Sequence, residues 1–363
     1  MDQLNHPIRL GRQPSIEAPG ATTASSTTDS STTAAQTIAA PIVPAINQHA
    51  SHDWHAETRI FNYAEAANPV RHGLTEPIPL RSWSSRLYSD GPSAIIPLDL
   101  SAELGCTAPA TSPALAAHFL RLVAGEPLLL AAEATSSLFY VLSGSGRLSR
   151  AEGVEQAPLS LAWNSGDVFV LPAGEPLRLE TTTAAVLYWV HDGPLLSYLG
   201  VVPKQPRFSA SHYPAPELDA ALARLLADPA AMRGNRLSIL LGHAAFPSSR
   251  TVTHTLWAML GVVPGGAVQP PHRHQSVALD LIIDCPPGCH TLVGRELAED
   301  GSIDRAQKVE WEPGGAFITP PGLWHAHVNP TDQPARLLPI QDAGLHTHLR
   351  SLDIRFAGGL QSA

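Results

Sequence analysis

The chain has 363 residues, 44% of them apolar and 15% charged, so it is long enough for two domains and able to bury a sizeable core. A formal charge of −9 offers no basic face on which a phosphate backbone could release counterions, which argues against nucleic acid as a partner. The most apolar stretch, "HFLRLVAGEPLLLAAEA", is cut by Arg121, Glu126 and Glu133. It falls short of the roughly 20 uninterrupted apolar residues of a membrane span.

The N-terminal "MDQLNHPIRLGRQPS" has no basic region followed by an apolar block, and three cysteines do not suggest a disulfide framework, so the expected address is cytoplasmic. Residues 20–47 are small, polar and repetitive, with too little apolar area to offset the entropy of ordering them. Residues 1–50 are therefore expected to form a disordered tail. From 51 to 111 the composition is mixed, and Trp54, Phe61, Trp83 and Tyr88 would anchor an arm on the first domain.

From 112 to 205 short apolar segments, "LFYVL", "DVFVL" and "AVLYWV", alternate with the turn signals "SGSG", "NSGD" and "PAGEP", the punctuation of an all-β sandwich or barrel. Residues 206–235 contain "YPAPELDAALARLLADPAAM". Pro216 suits a helix start, Leu218, Leu222 and Leu225 share one face, and Pro229 stops the run, which predicts a linker helix. The β pattern returns over 236–356 with "LDLII", "GAFIT" and "ARLLPI", so the fold class is all-β with an internal duplication.

Within that second half, "PPHRHQ" sets His272 and His274 two apart, a spacing that aims both side chains to one side of a strand. Five residues separate Gly266 from His272, and downstream Gly314, Pro320, Gly322, His325 and Asn329 stand at fixed intervals in "GGAFITPPGLWHAHVNP". The two stretches resemble the two motifs of the cupin superfamily, β-barrels that bind a metal inside. The resemblance implies two tandem double-stranded β-helix barrels and makes His272, His274 and His325 the metal ligands. Laid on the first half, the same template retains Gly125, Gly166, Pro172 and Gly174 but places Ala131, Glu133 and Leu177 at the ligand positions. That barrel is expected to be metal-free.

Three imidazoles would leave open positions on a first-row divalent ion, and ligand type alone does not separate iron from zinc. The glutamate many cupins add falls on Ala278 or Leu279 and is missing. Asp280 shares the inward face of His274 if alternation is unbroken, as a ligand, a substrate contact or an ordinary solvated carboxylate. "THTLWAMLGVVPGGAVQPPHRHQSVALDLIID" and "GGAFITPPGLWHAHVNPTDQPARLLPI" further resemble the metal cupin of the gentisate 1,2-dioxygenase family, and "GDVFVLPAGEPLRLETTTAAVLYWVHDGPLLSYLG" its metal-free cupin.

This second resemblance implies Fe(II), O2 and a hydroxylated aromatic or related small acid as substrate, in a homo-oligomer. It makes His327 an acid, base or hydrogen-bond donor near O2 and Trp257 a pocket wall. It leaves Arg236 either pairing with a substrate carboxylate or held in a surface salt bridge. Two departures stand out: the metal cupin comes second in this chain, and Asp280 replaces a family arginine that helps bind the acid. Competing readings are an isomerase, lyase or hydrolase using zinc, manganese or nickel without O2, and a non-catalytic small-molecule-binding bicupin. "CPPGCH" is expected to close a β-hairpin, and His346 and His348 to lie near the last strand as an incidental pair. No phosphate-cradling loop and no G-x-S-x-G elbow is present.

Overall fold

Side chains on a strand alternate between faces, and here both faces are buried, which is why the strands read as nearly continuous apolar runs. In the computed structural model, which describes residues 53–151, 159–174, 176–231, 234 and 236–359, the alternation separates three cores. The tail expected over 1–50 lies outside the described residues. All described residues belong to one compact unit.

The segment before the first barrel carries α1 (Tyr63–Ala66), β1 (Arg81–Trp83), β2 (Ala94–Pro97) and α2 (Ser101–Leu104). The N-terminal barrel is built from β3 (Ala116–Leu122), β4 (Leu128–Leu130), β5 (Ser136–Ser143), β6 (Ser145–Arg150), β7 (Ser160–Asn164), β8 (Val168–Pro172), β9 (Leu177–Thr181) and β10 (Ala185–His191). A short helix, α3 (Gly193–Leu199), then leads to β11 (Ser211–Tyr213) and α4 (Ala215–Leu226). Leu218 and Leu222 of α4 are buried, and Asp219 pairs with Arg336 at 2.8 Å.

The C-terminal barrel repeats the plan with β12 (Leu237–Leu241), β13 (Trp257–Val263), β14 (His272–Arg273), β15 (Ala278–Asp284), β16 (His290–Gly294), β17 (Gln307–Glu310), β18 (Ala316–Thr319), β19 (Trp324–Val328) and β20 (Ala335–Gln341). It ends on α5 (Ala343–Leu349) and β21 (Arg355–Phe356). The larger sheets run β11-β8-β5-β10-β3-β2 and β1-β18-β15-β20-β13-β12, and the smaller ones β7-β6-β9-β4 and β17-β16-β19-β14-β21. Apart from β21, which joins only the second barrel, the two barrels have the same strand order, so the duplication read from the turn spacing is present in three dimensions.

Alternation assigns each residue to a core. In β5, Phe139 and Val141 fill the first barrel while Leu138 and Tyr140 face the layer between barrels. In β15, Leu279 and Leu281 face that shared layer while Ile282 points inward. The shared layer also holds Leu338 and Ile340 of β20, each fully buried, and burial of such side chains contributes roughly 1.5–3 kcal/mol apiece.

The 51–111 segment serves both barrels rather than the first alone. It lends β1 to β18 of the second barrel and β2 to β3 of the first. Tyr88 packs edge-on against Phe119 at 4.7 Å and donates its hydroxyl to the Gly314 carbonyl at 3.0 Å. Gly314 has φ +75°, and a Cβ there would collide with that tyrosine, so both conformation and space demand glycine. Two other expectations are corrected. "CPPGCH" joins β15 to β16, which belong to different sheets, so it turns a barrel corner rather than a hairpin. His346 and His348 lie in α5, beyond the last long strand.

Candidate metal centre

His272 on β14 stands directly opposite His325 on β19, and His274 follows two residues along, so strand pairing brings the third imidazole to the first two. One ring nitrogen of each lies within 4.8 Å of the others, and all three residues are buried. A small inward adjustment brings nitrogens that close onto one ion, whose bonds to imidazole run about 2.0–2.1 Å.

The hydrogen bonds fix which nitrogen is free. The Nδ1 atoms of His272, His274 and His325 sit 3.1, 2.9 and 3.1 Å from the carbonyl oxygens of His325, Ser276 and Leu323. A carbonyl only accepts, so each Nδ1 carries the proton and each Nε2 presents a lone pair. The Nε2 of His274 is buried without a partner among the described residues, an orphan that a metal would satisfy. Burial, joined by the positive charge of Arg236, holds the rings in their neutral form: His274 falls to about 4, and His272 and His325 lie well below the usual range. Neutral imidazoles with oriented lone pairs fit a divalent first-row ion.

Arg236 precedes β12 and reaches into this cluster, where its guanidinium donates to Gln269 Oε1 and lies against the His272 ring. Since His272 Nδ1 is committed to a carbonyl, the acceptor left for Arg236 is the Nε2 lone pair that a metal would need. Metal and guanidinium therefore compete, and an ion on His272 would free Arg236 for a ligand in the same space. The surface salt bridge considered for Arg236 is not among the described ion pairs.

Asp280 is 2% exposed and accepts from Thr319 Oγ1 at 2.7 Å. Burial pushes its carboxyl up to about 6, against the opposing pull of the Thr319 bond and the Arg236 charge. It is not part of the ligating group, which holds no carboxylate among the described residues.

His327, on β19 with His325, is 2% exposed and contacts Thr291 Oγ1 through Nδ1 at 2.8 Å. That hydroxyl also accepts from Trp311 Nε1 at 2.8 Å. The fully buried Thr291 has one proton to place, and His327 Nδ1 is the acceptor in reach, so His327 is left with its proton on Nε2, a neutral donor. Trp257, half-buried at the start of β13, is placed differently. It lies opposite Gln341, which accepts from Ser276, the partner of His274, and it is not in the set of ring contacts joining the four histidines with Phe356 and Trp311.

Sequence reasoning missed Thr291, Trp311, Gln269 and Phe356. Phe356 of β21 pairs with His272 and stacks on its ring at 5.8 Å and 18°. Thr291, Trp311 and Phe356 carry no spacing signal because each comes from a strand or loop distant along the chain from His272, and Gln269, three residues before His272, stands at no position that the motif marks. Asn329 of the second motif ties the barrel together. It donates to the carbonyls of Val263 and Gln333 at 2.9 and 2.7 Å and accepts from Cys289 Sγ at 3.2 Å.

The first barrel lacks this equipment, with one adjustment to the expected positions. There the register sets Leu130 opposite Leu177, as His272 is set opposite His325, so the ligand positions are Leu130, Ala132 and Leu177 rather than Ala131, Glu133 and Leu177. The template counted from Gly125 is one residue out because the turn before β4 is a residue shorter than the one before β14. None of the three side chains can coordinate an ion.

No family model matches the chain. It is 29% identical over 104 residues to gentisate 1,2-dioxygenase 1 of Aquipseudomonas alcaligenes, a stretch that is 29% of this chain and 26% of that protein. The chain thus aligns with about a quarter of the length of this curated relative. Among solved structures, salicylate 1,2-dioxygenase from Pseudoaminobacter salicylatoxidans, as its adducts with gentisate, superposes with TM-score 0.60 at 13% identity, covering 82% of this chain and 91% of that one. Procruciferin, an 11S globulin from Brassica napus, superposes with TM-score 0.50 at 12% identity over 77% and 87% of the two chains. A dioxygenase and a globulin share the architecture, so the fold leaves function to the site. Among the described residues no helix is long and apolar enough to cross a membrane. The chain shares the two-barrel fold of salicylate 1,2-dioxygenase and, over a 104-residue stretch, is similar in sequence to gentisate 1,2-dioxygenase.

Proposed function

We propose that the protein is a mononuclear Fe(II) dioxygenase that cleaves the ring of a hydroxylated aromatic or related small acid. The observation that carries the reading is the set of three buried imidazoles whose Nδ1 atoms are each tied to a carbonyl, leaving three convergent lone pairs beside an arginine. His272, His274 and His325 would hold the iron, which supplies the electron exchange with O2 that ring cleavage requires.

The chain's own groups bind and orient. Arg236 offers a planar pair of donors for a carboxylate once released from His272, with Gln269 bracing one end of the fork. Asp280 stands inward, bonded to Thr319, and favours a ligand group that donates, such as a ring hydroxyl, over a second carboxylate. His327 supplies an N–H donor whose orientation Thr291 and Trp311 maintain, suited to holding or passing a proton on the reacting side. Phe356 covers His272 and limits water at that edge. In this reading O2 and a small acid are the partners, and the chain acts as a homo-oligomer in the cytoplasm.

The test is an oxygen-electrode measurement on anaerobically purified, iron-loaded protein with a panel of phenolic acids. O2 uptake with loss of the aromatic absorbance is expected, together with about one iron per chain that is lost in His272→Ala. Turnover without O2 consumption, or with zinc alone, would replace the dioxygenase reading with Lewis-acid chemistry.

A further inference from the structure

The Nδ1 of His274 meets two oxygens of one residue. It lies 2.9 Å from the Ser276 carbonyl and 3.0 Å from the Ser276 hydroxyl, and both residues are buried. The carbonyl only accepts, so Nδ1 carries the proton and the hydroxyl receives a share of it. The hydroxyl's own proton then has to go elsewhere. It goes to Gln341 Oε1 at 2.8 Å, which leaves Ser276 Oγ with a lone pair for His274. Gln341 is 3% exposed and fixed on β20 between β13 and β15, opposite Trp257 and Ala278.

The first barrel shows the same corner wired differently. Registers match Ser276, Gln341 and Asp342 to Thr135, His191 and Asp192. In both barrels the aspartate accepts from the amide that follows the hydroxyl residue, Asp192 from Ser136 N–H at 3.1 Å and Asp342 from Val277 N–H at 2.9 Å. The hydroxyls diverge. Thr135 donates to Asp192, whereas Ser276, which has His274 beside it, donates to the glutamine.

We propose that Gln341 is a positioning residue for the metal centre: by accepting the Ser276 proton it keeps His274 in the Nδ1–H form, with its Nε2 lone pair open. Without that acceptor, the other atom the hydroxyl contacts is His274 Nδ1. A hydrogen bond donated there requires Nδ1 to be bare, so the ring proton moves to Nε2 and blocks it. The inference rests on His274 serving as a ligand, but the tautomer is readable without metal.

Gln341→Leu in the full chain removes the acceptor and is expected to weaken cobalt(II) binding by about tenfold or more, measured against a chromophoric chelator. Ser276→Ala keeps the carbonyl and should weaken binding by only about threefold. Adding Ser276→Ala to Gln341→Leu removes the competing proton and should bring affinity back to within about threefold of native, a reversal that lost packing does not give. Nitrogen-15 shifts of His274 in the metal-free chain should report the Nδ1–H tautomer alone in the native protein, a mixture in Gln341→Leu, and Nδ1–H alone again in the double variant. If Gln341→Leu proves unfolded by thermal melting, Gln341→Met carries the same measurements. A single tautomer in the glutamine variant, or a double variant that binds cobalt no better than the glutamine variant, overturns the proposal. A native chain that binds no cobalt while the tautomer shifts as described would remove the metal reading and leave the role of Gln341 standing.

Discussion

The two barrels share one order of core strands, and at the site the difference between them lies mainly in which side chains stand at equivalent positions. Registers match His272, His325 and His327 to Leu130, Leu177 and Leu179. They match Asp280 and Thr319 to Phe139 and Leu171, and Thr291 to Leu148. Trp311 keeps its counterpart, Trp163, but where Thr291 is replaced by Leu148 the Trp163 Nε1–H is buried with no partner among the described residues. The frame is thus held by glycine turns and apolar alternation and does not require the polar centre. Buried polar groups are costly unless satisfied, so a barrel that carries them has a use for them, and the apolar version shows what the fold looks like without that use.

Converting one barrel toward the other tests this directly. His325→Leu installs the residue of the first barrel and is expected to abolish metal binding and to lower turnover by at least about a thousandfold, while the fold is retained. Metal analysis and circular dichroism check both halves, and a variant that loses its fold would show that the polar centre is structural.

Asp280→Asn removes a buried carboxyl that Phe139 replaces in the first barrel. Its folded pKa, raised from 3.8 to about 6, means that the native state binds more protons than the unfolded chain between those values. Its stabilising contribution is therefore complete below about pH 4 and is lost as pH rises through about 6. The loss is on the order of 3 kcal/mol from the size of the shift. Urea titrations of the metal-free protein from pH 4 to 7 should show that slope in the native chain and a flatter one in the variant. Equal slopes would mean that Asp280 does not titrate there.

Thr291→Val should cost about 1–3 kcal/mol by leaving Trp311 Nε1 and His327 Nδ1 without their shared hydroxyl, and Thr291→Ser should restore most of it. Nitrogen-15 shifts of His327 should report a single Nε2–H tautomer in the native chain and a mixture in the valine variant. The reciprocal Leu148→Thr offers Trp163 a hydroxyl partner and should change stability by about 1 kcal/mol or less, the gained bond offsetting the lost apolar burial. A large destabilisation there would show that the two tryptophans are not equivalent.

Much of this architecture was legible because it is written in short-range spacing. The H-x-H pair, the glycine and proline turns and the leucine stripe of α4 each follow from strand or helix period within a dozen residues. The corner at Cys285–Cys289 and the helical location of His346 and His348 were misjudged for the converse reason. A turn looks alike whether it joins two strands of one sheet or crosses between sheets, and a glycine count misses a one-residue change in loop length, which moved the empty ligand positions to Leu130 and Ala132.

By itself the sequence determined the all-β duplication, the pair of histidines on one side of a short strand and the loss of ligands from the first barrel. Only the tertiary structure decided that His325 would face His272, that Arg236 would lie on the lone pair a metal needs, and that Thr291, Trp311 and Phe356 would surround them. The physical reason is that backbone geometry sets a side chain's direction over a few residues, whereas contacts between distant segments depend on pairing register and barrel closure, which the whole chain settles at once.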